Sequence, residues 1–195
     1  MNVILKAFGQ WLYSFPVWAA SWVVVPVALL MCSKDDDHLP RWAWWFDEPT
    51  YGINGDPYWR GPDHANGHER EFLWRLRWLI RNSLGGWSHS VMGFHYSRIR
   101  AIKWSGDVAT ANRPVGHSGT LDITVTLDDG SERECLYIVR QWGSSGRCFR
   151  FYCGYKLKDV LDYYLRVGKL PGERDAYVQD VFSPNPLMGY VNANR

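Results

Sequence analysis

Charge is missing from the start of the chain. Between Ala7 and Ser33, "AFGQWLYSFPVWAASWVVVPVALLMCS", there is not one Asp, Glu, Lys or Arg. A buried core helix would be unusually long and unusually uncharged at this length. A cleaved signal peptide has a shorter apolar region and a small-x-small cleavage site, and none follows here. A lipoprotein site at "LLMC" is disfavoured by bulky Met31 where a small residue is wanted. About 20 apolar residues cross a hydrocarbon core of ~30 Å, so the run predicts a transmembrane helix and a membrane anchor over residues 1–33. Pro16 and Pro26 would damage a soluble helix, but a spanning one tolerates them.

Other absences narrow the function. The four cysteines, Cys32, Cys135, Cys148 and Cys153, form no CxxC pair, which excludes a disulfide scaffold and disfavours zinc. Reduced cysteines in strands are expected instead. The net charge of +2 gives no case for nucleic acid. No Gly-rich phosphate loop, GxSxG elbow or HExxH is present, so no catalytic class and no cofactor is indicated. Tryptophan is nearly absent from the second half: of the twelve, only Trp142 lies beyond residue 105.

What is present is unevenly placed. Residues 33–59 carry two bases against six acids, residues 60–104 eight against three, and residues 105–195 eleven against eleven. The chain therefore divides into the anchor (1–33), an acidic turn with a basic helix (34–89), and a β-rich domain (90–195).

The turn reads "WAWWFDEPTYGINGDPYW" from Trp42 to Trp59. Gly52, Asn54 and Gly55 suit the positive φ angles that such a turn needs. The helix follows in "HEREFLWRLRWLIRNSLGGW", where Phe72, Leu76, Leu79 and Ile80 recur at helical spacing and Gly85-Gly86 stops the run. Arg70, Arg75, Arg77 and Arg81 are expected on its other faces, and Trp74 and Trp78, one turn apart, share one. Arginine with tryptophan on a short amphipathic helix suits a membrane surface, with indoles at headgroup depth and guanidinium groups on anionic phosphates. The expected membrane-interface set is Trp11, Trp42, Trp44, Trp45, Trp74, Trp78, Arg75, Arg77 and Arg81. A helix packed on the sheet with its arginines in water is the alternative. Positive charge beyond the span favours a cytoplasmic C-terminal domain.

In the second half, "TLDITVTL" alternates as a half-buried strand, "RECLYIVRQW" returns, and "RCFRFYCGYKL" runs back, a three-stranded antiparallel meander. "SVMGFHYSRIRAIKW" begins the sheet, residues 159–167 suit a short helix or a fourth strand, the helix favoured because Val160, Tyr163, Tyr164 and Val167 share a face, and "DAYVQDVFS" is a last strand ending before "PNP". The fold class is α+β. His64 and His68 beside Asp63 and Glu69 form a weak metal pattern that the intervening Asn66 and Gly67 argue against. Asp47, Glu48 and Asp56 could in principle supply a carboxylate pair.

Four stretches taken together, the apolar N-terminus, "WWFDEPTYGINGDPYW", "FLWRLRWLIRN" and the terminal "FSPNP", are similar to a family of small tailed-bacteriophage proteins. That family has a W-x-D…G-I-x-G-D turn (here Asp47, Gly52, Gly55 and Asp56), an R-x-R-W-L-x-R-N helix and a closing S-P-N-P. Asn82-Ser83 stands where the family has Asn-Pro, and Tyr155 where it has Trp. The resemblance implies a phage origin and a membrane setting in the host inner membrane, without a mechanism. The expected function is binding by a single-pass membrane protein, with the bilayer and its anionic lipids as one partner and a host membrane protein or phage component as another. The alternatives are a virion component that inserts on ejection and a membrane-tethered hydrolase.

Overall fold

The computed structural model describes residues 2–56, 71–110, 118–142, 146–172 and 176–189. The residues 63–69 that hold the histidine pattern lie outside these, as do Trp59 and Arg70. The fold is α+β, and it divides into two compact units: Leu12–Met92, and Met1–Trp11 with Gly93–Arg195. The anchor is not a unit of its own. Helix α1, Val3–Leu30, starts in the sheet-bearing unit and continues through the other.

The sheet-bearing unit follows from strict alternation. Strands β2 (Ile99–Gly106), β3 (Gly119–Leu127), β4 (Glu132–Gln141), β5 (Arg147–Tyr155) and β7 (Asp180–Gly189) form one antiparallel sheet in the order β2-β3-β4-β5-β7. A separate short ladder pairs β1 (Phe94–His95) with β6 (Tyr177–Val178). Every second residue of β3, from Leu121 to Leu127, is buried, and Cys135, Tyr137 and Val139 of β4 continue that face. The amphipathic helix α3, Lys158–Val167, covers it with Leu157, Val160 and Leu161. On the opposite face the first turns of α1 meet the sheet, with Phe8 and Trp11 5.8 and 6.0 Å from the ring of Phe182.

The final strand corrects the sequence expectation. β7 runs through Ser183-Pro184-Asn185-Pro186 instead of ending before it, with Pro184 opposite Phe151. β7 is an edge strand, so a residue without an N–H costs no hydrogen bond on its open side.

The other unit sets short helical segments and irregular backbone against α1. Among the described residues it holds a 3₁₀ segment Arg41–Phe46, a second at Gly52–Asn54, helix α2 (Phe72–Arg81), a single helical turn at Gly85–Trp87 and a π-helical turn at Ser88–Met92. Helix α2 stops at Arg81, short of the Gly85-Gly86 pair that was expected to end it. Those glycines are close-packing sites: a Cβ on Gly86 would lie 1.9 Å from the Trp44 carbonyl oxygen, and the Gly86 N–H donates to the Asp47 carbonyl at 2.7 Å.

Candidate functional site

Helix α1 is apolar nearly all round, so polarity does not distinguish its faces. Size does. Ala7, Ser14, Ser21 and Ala28 recur every seven residues, and all four are buried. Within the Leu12–Met92 unit, this small-residue stripe lets the chain approach closely, as small residues do between membrane helices. The Trp87 indole N–H donates to the Ser14 hydroxyl at 2.9 Å. Further along, Val25, Ala28 and Leu29 pack in one cluster with Leu39, Ala43, Phe46, Ile53, Trp78 and Leu79. Other large side chains of α1 face outward: Trp22 is 53% exposed, Val23 69% and Leu30 75%. This helix is long and apolar enough to cross a membrane.

The neighbouring segment is locked by two buried polar centres. Asp47 is fully buried. Its carboxylate accepts from the Leu39 N–H at 3.1 Å and the Glu48 N–H at 2.8 Å, and it lies 2.9 Å from His38 Nδ1. Burial pushes its pKa up, and the hydrogen bonds from His38 and the two amides hold it back. The second centre is Arg75. Its Nε donates to Asn54 Oδ1 at 2.9 Å, and its terminal nitrogens donate to the carbonyls of Ser33, Lys34 and Asp36 at 2.8–3.0 Å. These carbonyls follow the C-terminal end of α1, where the helix dipole favours a cation. Asn54 in turn donates to Asp37 at 2.7 Å. Gly52 has φ +59°, and a Cβ there would lie 1.8 Å from the Asp37 carbonyl oxygen, so no other residue fits.

Several sequence expectations need correction. Arg75 and Trp78 are buried, and Trp78 donates its indole N–H to the Gly52 carbonyl at 2.8 Å. Neither can touch lipid headgroups. With Leu79 they form the buried face of α2, at the i, i+3, i+4 spacing that brings residues together on a helix. Trp44 and Trp74 are half-buried, whereas Arg77, Arg81, Trp42 and Trp45 are exposed, Trp45 standing edge-on to Trp87 at 5.0 Å. Trp11 is 41% exposed and sits with the sheet. Asp47, Gly52 and Gly55 (φ +81°) shape the turn, and Asp56 is half-buried beside it. Asp47 and Glu48 do not form an accessible carboxylate pair: Glu48 accepts from the amides of Thr50 and Tyr51. Among the described residues no three metal-binding side chains gather.

Sequence reasoning missed Ser14, Ser21 and Trp87, and it read Asn54 as a positive-φ turn residue, whereas no residue but glycine has positive φ among the described residues and Asn54 links Arg75 to Asp37. The signal for the serines was their seven-residue spacing with Ala7 and Ala28 inside an apolar run.

The sheet-bearing unit holds a cleft of about 470 Å³, lined by Val3, Lys6, Gln10, Arg133, Glu134 and Tyr155 among others. Its groups engage each other: Lys6 pairs with Glu134, and Gln10 donates to the Tyr155 hydroxyl at 2.9 Å.

The model of a family of unknown function, DUF7338, matches residues 2–190. The chain belongs to that family. Comparison of this DUF7338 chain with curated proteins and with solved structures finds no match.

Proposed function

We propose that the protein is a membrane-seated binding protein, held to a bilayer by the outer face of α1 and offering its sheet-bearing unit to a protein partner. The observation that carries the reading is the run of large side chains left exposed on α1, Trp22, Val23 and Leu30 among them, beside the buried Ser14, Ser21 and Ala28. A water-soluble monomer rarely exposes a continuous apolar stripe of this kind. Each large apolar side chain moved from water into lipid contributes roughly 1.5–3 kcal/mol. The exposed indoles of Trp18 and Trp22 suit the headgroup boundary, where an aromatic body is apolar and its N–H is wet. The similarity to small tailed-phage proteins supports a phage-encoded protein in the host inner membrane, with its sheet domain in the cytoplasm and a host membrane protein or phage component as partner.

Fractionation of expressing cells tests the seating. The protein should sediment with membranes, resist salt and need detergent for release. Recovery of folded protein in the soluble fraction would overturn the reading.

A further inference from the structure

Resting on that membrane reading, we infer that α1 does not cross the bilayer but lies in the plane of one leaflet, immersed by its large-residue face. The structure carries this through what covers the opposite face. Within the Leu12–Met92 unit, chain is packed along α1 from Ser14, which bonds Trp87, to Leu29, which packs beside Leu39. At 1.5 Å per residue that covered length is roughly 22 Å. A hydrocarbon core is only ~30 Å thick, so a spanning α1 would carry its neighbour into the core with it.

That neighbour cannot enter hydrocarbon. Besides α2 it contains 3₁₀ turns and irregular backbone, whose free polar groups lipid cannot satisfy. It holds exposed Arg41 and Arg77, and cations at mid-bilayer depth are strongly disfavoured. Turning α1 through a right angle removes the conflict. The outer face then sinks ~5–10 Å into the headgroup and acyl boundary while the packed side stays in water. Trp18 and Trp22 reach the depth that indoles prefer, and exposed arginines lie near anionic phosphates. The occupant of the outer face is therefore one lipid leaflet. A second copy of the chain is the weaker fit, because a dry helix-to-helix contact would leave exposed indole N–H groups without a partner.

Sidedness of the two ends of α1 tests this. In the full chain with Cys32→Ala, Asn2→Cys and Lys34→Cys would be introduced one at a time. A membrane-impermeant maleimide would then be applied to sealed vesicles of each orientation. The in-plane helix predicts that both positions are labelled from the same face of the membrane and neither from the other. Labelling from opposite faces would overturn the in-plane inference while leaving the membrane reading intact. A soluble dimer absent from the vesicles would overturn both.

Discussion

The Trp87 indole stands 2.9 Å from the Ser14 hydroxyl, joining a residue late in the Leu12–Met92 unit to one in the first half of the charge-free run. The bond puts a small polar residue of α1 inside and leaves the larger Trp18 and Trp22 outside. Hydropathy alone would order them the other way.

Enlarging the small face should therefore harm the fold although it raises hydropathy. Ser14→Leu or Ser21→Leu would force overpacking worth about 1–3 kcal/mol. Thermal melts in mild detergent, followed by near-ultraviolet circular dichroism, should show both variants melting below the parent. Val23→Ser on the outer face should leave the melt unchanged.

The arginines of α2 should behave as two classes. Arg75→Gln leaves the carbonyls of Ser33, Lys34 and Asp36 short of a donor and should cost about 1–3 kcal/mol, as a buried acceptor left unsatisfied does. Arg77→Gln, on the exposed side, should stay within about 0.5 kcal/mol. Denaturant unfolding of the two single variants checks this, and equal effects would refute the division.

How far the sequence could be read divides along the same line. The meander was legible because alternation of period two leaves few other solutions, whereas the short run that forms α3 also suited a fourth strand until the structure showed the helix. Gly52 was legible as a turn glycine, although its close approach to Asp37 was not. Arg75 was misread because its partners are backbone carbonyls some forty residues away, and a carbonyl leaves no mark on composition. The extension of β7 through Pro184 was hidden because only its edge position makes the proline harmless.

Asp47 supplies a pH signature. Its folded pKa is raised above the unfolded value by burial, so the folded state holds the proton more tightly. The stability that this gives is fully present below the unfolded pKa, about 3.9, and is lost as pH rises through the folded one. Asp47→Asn should lack that slope. It should also cost about 1–3 kcal/mol at neutral pH, because an amide presents a donor to one of the N–H groups that the carboxylate accepts. Stability of the parent minus that of the variant, measured from pH 3 to pH 7 (about the range of carboxylate titration), should decline upward through the acid range before levelling.

The thiols should separate by burial. Cys135, Cys148 and Cys153 are buried, and burial pushes Cys153 up to about 11 and raises the other two. Cys32 is partly exposed and also raised. Timed alkylation of the folded protein at mildly alkaline pH should modify Cys32 first, with the three strand cysteines reacting only on unfolding. Early modification at Cys148 would show that the sheet edge opens.

The most direct test is to place charge on the outer face of α1. The double variant Trp22→Glu, Val23→Lys alters two exposed side chains that the fold does not bury. Cells expressing it should be fractionated beside the parent, with circular dichroism confirming that the protein is folded. The account predicts that the folded variant leaves the membrane fraction for the soluble one. A folded variant held in membranes as firmly as the parent would contradict it.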